Sequence, residues 1–441
     1  MEGVIEVYQN WSAEEPPKRL GVLRVRAGRT GELFDFTFDD DALADTTLSQ
    51  QALDPDLGIF RGPQFPKHGR TTFGVFKDSS PDRWGESLIR RRFDREKRAG
   101  LVPPNARLGP SDYLLGVHDE FRSGALRYKL TPDGPFLDNR DGSAAPPFVR
   151  LRELEAASRG LEDDVNEDDP ATDEWLRLLL APGASLGGAR PKATVVDAEG
   201  NLWIAKFPST KDRYDVGAWE LVVSRLAERC GLRVPVSDAR TFASAEHTFL
   251  VRRFDRRRSG ARIHFASAMT LTGNEDGVDH STGASYLEIA EIIMSQGAAP
   301  REDLIELWSR IVFNVMVSNT DDHLRNHGFL LTPNTGWRLS EAYDMNPVAG
   351  SSGLCLNIDE SDNALDLDLV RSVAPYFRIK DAQATSIIGR VAEVVRGWSD
   401  IADTLGIKRG EQGEMADAFT MGGYGPGGRG STPSRRAESR P

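Results

Sequence analysis

Cysteine is almost absent from this 441-residue chain: Cys230 and Cys355 are the only two. That excludes a disulfide framework and a cysteine-built zinc finger, and it makes a reducing cytoplasm the expected location. Long apolar runs are missing as well. No stretch approaches the roughly 18 consecutive apolar residues of a membrane helix, so no membrane association is expected. The opening residues MEGVIEVYQN lack the basic patch and apolar run of a secretory signal. Positive charge is in deficit: 55 Lys and Arg against 67 Asp and Glu leave a net charge of −12. Such a chain repels phosphate overall and is a poor DNA binder by itself, so contact with DNA would need a local patch or a basic partner.

What is present is an ordinary globular balance, 39% hydrophobic and 28% charged, which excludes wholesale disorder. The length suggests two or three domains or lobes. Leu20–Val25 and Leu33–Phe38 read as strands, and Trp84–Phe93 as a helix ending in the basic run Arg90–Arg92. Asp112–Val117 and Gly124–Tyr128 read as a helical turn and a strand. A proline- and glycine-rich stretch over 131–147 marks a boundary near 150. Leu161–Asp169 packs six acids into nine residues and reads as a solvated loop. The tail Met421–Pro441 holds six glycines and three prolines in 21 residues, too little apolar surface to offset its ordering entropy.

Three segments carry chemistry. In Gly183-Ala184-Ser185-Leu186-Gly187-Gly188-Ala189-Arg190-Pro191-Lys192, glycines allow backbone N–H groups to wrap phosphate oxygens. It is not a Walker A loop, because Ala-Arg-Pro-Lys follows Gly188. Next, a strand through Val195, a turn at Asp197–Asn201 and a strand Leu202–Phe207 form a hairpin. Alternation puts Lys206 on the face of Leu202 and Ile204, where an amine is costly unless it meets an anion. Glycine loop, hairpin and inward lysine is the arrangement with which protein kinases hold nucleotide phosphates. The third segment follows a helix whose stripe is Leu304, Ile305, Trp308, Ile311, Val312, Val315 and Met316. It runs into Ser318–Gly328, where Asp321 and Asn326 have the Asp-x-x-x-x-Asn spacing of a kinase catalytic loop. The Asp would reach an attacking hydroxyl and the Asn would offer a neutral oxygen to a hard cation. Two short strands, Phe329–Leu331 and Trp337–Leu339, lead to Asp344, an acid placed like the magnesium-binding Asp that opens the activation segment of kinases. Asp322 and His327 read as loop or capping residues.

These words resemble the HipA-like serine/threonine kinases, toxins of bacterial HipBA-type toxin–antitoxin modules. The resemblance rests on Ser185–Lys192, Ile204-Ala205-Lys206-Phe207-Pro208, Val251–Arg256, Asn319–Asn326 and Tyr343-Asp344, and in the N-terminal part on Phe73–Arg92 with Ser80-Pro81-Asp82-Arg83-Trp84-Gly85 and Tyr113–Gly116. It covers roughly residues 18–405. It implies a two-lobed kinase-like α/β (α+β) fold: a small β-rich N-terminal subdomain over 1–150, an N-lobe over 151–255, a helical C-lobe over 256–410 and a disordered tail over 411–441. It further implies ATP and Mg²⁺ as cofactors. Asp321 would be the catalytic base and His323 its brace. Gly187, Gly188, Ala189, Lys192 and Lys206 would hold the nucleotide phosphates, and Arg252, Arg253 and Phe254 the adenine side. Asn326 and Asp344 would bind magnesium. Ser185 would be an inhibitory self-phosphorylation site, since a phosphate of about −1.5 to −2 charges would repel the ATP phosphates. The word Arg252-Arg253-Phe254, which by the resemblance would be the hinge between the lobes, departs from the pattern in opening on two arginines. Implied partners are a basic helix-turn-helix antitoxin of HipB type, DNA only through that antitoxin, and a protein substrate such as an aminoacyl-tRNA synthetase. Two other readings stand beside this one: a catalytically degenerate kinase fold that works by binding, and a metal-dependent hydrolase using Asp321, Asp322, His323 and Asp344.

Overall fold

The computed structural model describes residues 3–423 apart from 12–14, 30, 46–51, 68, 140–144, 164–169, 181–187 and 258. Strands β1 (Gly3–Gln9), β2 (Lys18–Ala27), β3 (Glu32–Phe38) and, after helix α1 (Arg83–Arg98), β4 (Leu126–Lys129) form one antiparallel sheet in the order β3-β2-β1-β4. Period-2 alternation decides which face is inward: Phe34, Phe36 and Phe38 are buried, whereas Leu33 is 61% exposed. Helix α1 outruns the expected Trp84–Phe93 at both ends. Asp82 caps it by accepting from the Gly85 N–H at 2.8 Å, and lysine and arginine in the last turn suit the negative end of the helix dipole.

Helix α2 (Leu151–Glu162) leads to the second sheet, in which β5 (Lys192–Val196), β6 (Leu202–Lys206), β7 (Ser237–Thr241) and β8 (His247–Arg252) run in the order β5-β6-β8-β7. Helix α3 (Val216–Arg229) separates β6 from β7. Ala193, Val195 and Ala205 on one face join the core of Leu151, Leu154 and Leu161 from α2. Ile204, Phe249 and Val251 on the other face cluster with Leu221 of α3. Gly217 lets α3 approach, because a Cβ there would lie 2.0 Å from the His247 carbonyl oxygen. Lys192 and Lys206 are directly opposed in the β5–β6 register, so both project from the same face, the one toward α3.

The third sheet, β11-β10-β9, comprises β9 (Phe265–Ser267), β10 (Gly328–Thr332) and β11 (Gly336–Leu339). Around it lie α4 (Tyr286–Gln296) and α5 (Pro300–Met316). The expected stripe of α5 is buried apart from half-buried Ile305, but so are Ser309, Arg310, Phe313 and Asn314 on its other sides. The helix runs through the middle of the lobe, and its polar residues survive there because each is bonded. Arg310, for example, donates to the Ser340 carbonyl at 2.6 Å and Asn314 to Asp322 at 2.6 Å.

The expectation of a disordered tail from 411 is corrected over 411–423. Helix α6 (Arg409–Met415) and a 3₁₀ turn (Ala416–Gly423) pack back on the molecule. Phe419 stacks on Trp398 at 4.7 Å, both meet Trp219 of α3, and Glu411 accepts from Trp219 Nε1 at 2.7 Å. Buried Met415, Ala418 and Phe419 supply the apolar surface, while the dense glycine run begins only at 422. In the acidic stretch Glu162 still belongs to α2, where it accepts from Ser209 Oγ and Thr210 N. Residues 164–169 and 424–441 lie outside the described residues. Among the described residues no helix is long and apolar enough to cross a membrane.

Candidate active site

Lys206 closes β6 and is 7% exposed. Its Nζ donates to Glu220 Oε1 at 2.6 Å and to Asp344 Oδ1 at 2.5 Å. Burial alone would discharge the amine. The carboxylates of Asp344 and Glu220 outweigh it and hold the amine charged well above its ordinary range. The two acids differ. Burial pushes Asp344 up, but Lys206 brings it down to about 2. Glu220 stays above its usual value, because its burial and the neighbouring Asp344 charge exceed the help from Lys206. Asp344 reaches the amine from a left-handed backbone, φ 58°, a conformation that Asp tolerates better than most residues.

The loop after α5 turns successive side chains opposite ways. Asp321 faces the cleft and Asp322 faces the core. Asp322 accepts from Tyr286 Oη of α4 at 2.7 Å, from Asn314 Nδ2 of α5 at 2.6 Å and from His327 Nε2 at 2.8 Å. The expectation of a supporting loop role for Asp322 and His327 agrees with these contacts. Asn326 Nδ2 donates to the Asp321 carbonyl at 3.0 Å and fixes the loop's curl. Tyr343 Oη donates to the Arg325 carbonyl at 2.6 Å, which ties the Asp344 segment to the same loop. Desolvation and the nearby Asp344 and Asp322 charges raise the Asp321 carboxyl above its usual range, against the pull of His323 and Arg83. A carboxylate so raised is a stronger base.

Beyond Lys206 an apolar slot runs between Ile204, Phe249, Val251 and Met345, with Arg252 to Phe254 on its border. Its apolar walls and polar end suit a flat ring joined to an anion. Phe254 packs on Tyr343 at 5.4 Å. The Arg253 guanidinium does not face the slot. It donates to Asp255 Oδ1 at 2.9 Å, to Asp255 Oδ2 at 2.6 Å and to the Phe121 carbonyl at 2.6 Å, fully buried. A buried guanidinium must stay with its carboxylate, so the side chain of Arg253 serves the Asp255 cluster although the residue borders the slot.

Ser185 and Gly187 lie outside the described residues. Gly188 is described, at φ +78°, where a Cβ would stand 3.5 Å from Lys192 Nζ and 3.9 Å from Asp344 Oδ2. The end of the glycine segment therefore lies over the acids and lysines. Lys192 is at the cleft, yet its amine is engaged by Asp82 at 2.7 Å and the Gly188 carbonyl at 3.2 Å. Ala189 and His323 border a cavity of about 420 Å³ with Asp321.

Sequence reasoning missed Glu220 and Asp82. Glu220 had a signal: it is one acid in the run Trp219–Val223, and an acid in a buried run must meet a cation. Asp82 had none, since helix capping already accounts for an Asp after Ser-Pro.

Among the described residues no group of three or more His, Cys, Asp or Glu is arranged to hold a metal, and Asp322 is spent on its three donors. The hydrolase reading therefore lacks its ligand set. A hard cation held by Asp344 and a neutral oxygen fits better: Asn326 Oδ1 is buried and has no hydrogen-bond partner among the described residues.

Residues 184–398 match the family model described as the HipA-like C-terminal domain. A candidate kinase of Haemophilus influenzae is 27% identical over 185 residues, covering 38% of this chain and 53% of that protein. Candidate kinase Y4mE of Sinorhizobium fredii is 28% identical over 196 residues, covering 40% and 43%. The chain thus spans about half the length of the curated relatives it matches. Among solved structures, a chain of the Shewanella oneidensis complex of HipA, HipB and operator DNA superposes with a TM-score of 0.64 at 16% identity, covering 95% of both chains. The fold is accordingly the two-lobed kinase-like one, preceded by a small β-rich subdomain.

Proposed function

From the premise that this chain belongs to the HipA family, with its HipA-like C-terminal domain at residues 184–398, we propose that it is an ATP- and magnesium-dependent protein serine/threonine kinase. The observation that carries the reading is Lys206 Nζ held between Glu220 and Asp344, the ion-pair arrangement that kinases use to bring phosphates and metal together. Its units are 1–150, 151–255 and 256–410, and nucleotide enters between the last two.

In this mechanism the slot beside Phe249 and Val251 takes the adenine, and Lys206 meets the phosphates. Asp344 and Asn326 hold magnesium, which when bound neutralises phosphate charge. Asp321 accepts the proton of the attacking hydroxyl, and its raised pKa suits it to do so. His323 and Asn326 keep its main chain in place. The N–H of His323 donates to the Asp321 carbonyl at 2.9 Å, as does Asn326 Nδ2 from the other end of the loop. Ser185 is the self-phosphorylation site that shuts the enzyme off. The biological role is that of a toxin in a toxin–antitoxin module, with a basic HipB-type antitoxin as partner, DNA reached through that partner, and a translation component such as an aminoacyl-tRNA synthetase as substrate. A net charge of −12 supports a basic partner.

The test is labelled ATP with magnesium, wild type beside Asp321→Ala. Wild type is expected to transfer phosphate to itself or to a lysate protein at least about 100-fold faster than the variant. Equal transfer by the two proteins would refute the kinase reading.

A further inference from the structure

The N-terminal word Ser80-Pro81-Asp82-Arg83-Trp84-Gly85 has no part in the mechanism above, yet it lies inside the cleft. Asp82 is 4% exposed; its Oδ1 accepts from the Gly85 N–H and its Oδ2 from Lys192 Nζ at 2.7 Å. Trp84 Nε1 donates to the Lys192 carbonyl at 3.1 Å. Two buried bonds thus lock the start of α1 to the first residue of β5, just past Gly188. The residue between the two anchors is Arg83. It is exposed and borders the cavity that Gly188, Ala189, Asp321 and His323 also border. Its guanidinium makes no hydrogen bond or ion pair of its own among the described residues, although its charge reaches the Asp321 carboxylate. Several other arginines of the subdomain are tied down: Arg19 by Glu6, Arg70 by Asp56, Arg127 by Asp119.

A guanidinium on a fixed backbone borders one cavity with the expected base Asp321 and with Gly188 and Ala189 at the described end of the glycine segment, the space through which a phosphoryl group would pass from nucleotide to hydroxyl in the site proposed above. That group spreads negative charge over its equatorial oxygens, and a planar fork of donors matches it. We propose that Arg83, delivered by the N-terminal subdomain, contacts the transferring phosphoryl group, with Asp82 and Trp84 as its positioning residues. The inference rests on the nucleotide site proposed above. It makes the N-terminal subdomain part of the active site.

The experiment is calorimetric titration of wild type, Arg83→Ala and Arg83→Lys with two magnesium nucleotides, ADP and the non-hydrolysable analogue adenylyl imidodiphosphate. Arg83→Ala is expected to lose about tenfold in affinity for the analogue and nothing for ADP, with an unchanged melting temperature, and Arg83→Lys to recover part of the loss. Phosphoryl transfer by Arg83→Ala should fall about 100-fold. Equal losses for both nucleotides, or none for either, overturn the assignment of Arg83. The kinase reading fails separately, if wild type transfers no more phosphate than Asp321→Ala while the two nucleotides still distinguish Arg83 variants. A wild type that binds neither nucleotide overturns both.

Discussion

Lys206, Glu220 and Asp344 form a triad with one positive and two negative charges, all buried or nearly so. The imbalance decides what substitution does. Glu220→Gln leaves a neutral Lys206–Asp344 pair and should shift stability by no more than about 1 kcal/mol, while nucleotide affinity drops because the amine is less firmly aimed. Lys206→Met strands two carboxylates and should cost about 3 kcal/mol or more in urea unfolding. Similar losses for the two variants would count against the charge argument. His264 poses a different residue-scale problem. It is 1% exposed, wedged between Trp11 and Trp337, and neither ring nitrogen has a partner among the described residues. Burial lowers its pKa from 6.5 to about 4. The unfolded chain therefore binds this proton more readily than the folded one, and stability present above pH 6.5 is lost as the pH falls toward 4, by about 3 kcal/mol in all. Urea midpoints from pH 7 to 4.5 should show the decline, and His264→Phe should flatten it.

At the scale of elements, the 318–328 loop is aimed by what lies beneath it. Asp322 joins that loop to α4 and α5 through Tyr286 and Asn314 and braces it internally through His327, so Asp322→Ala leaves three buried polar groups unmatched. The expected cost is about 3 kcal/mol, with a fall in phosphoryl transfer; Asp322→Asn, which keeps an acceptor, should lose less of both. Thermal unfolding and transfer assays measured together would expose the error if Asp322→Ala were as stable and active as wild type. Helix α3 is aimed from its other side. Glu411 receives Trp219 Nε1 and the Asp215 N–H, so the segment after 409 steadies the helix that carries Glu220. The β5–β6 hairpin, α5 and the β10–β11 hairpin were readable because periodicity and turn residues are local signals. The bonds that orient them join residues far apart in the chain, and no local pattern marks them.

On the scale of the molecule, one buried cluster joins the hinge to the N-terminal subdomain. Asp255 accepts from Arg253, from Arg256 and from the Gly124 N–H, and Arg253 and Arg256 reach the Phe121 and Arg122 carbonyls. Burial raises the Asp255 carboxyl, but the two arginines hold it far below its ordinary value. Arg253→Ala should cost about 3 kcal/mol and split the calorimetric unfolding peak, as the N-terminal subdomain melts apart from the lobes. A single unshifted peak would contradict that coupling. Of the two arginines that open the hinge word, Arg253 thereby acquires a reason that spacing could not supply. The amino-acid order alone was enough for the hairpin with its inward lysine and for the long apolar helix that leads into the Asp321 loop, because propensity, alternation and short spacing act between neighbours. Only the folded chain decided that Glu220 meets Lys206, that Asp82 pairs with Lys192, that Arg253 turns to Asp255 and that residues 411–423 pack. Each of those depends on burial, and burial is set by elements that meet across long stretches of chain.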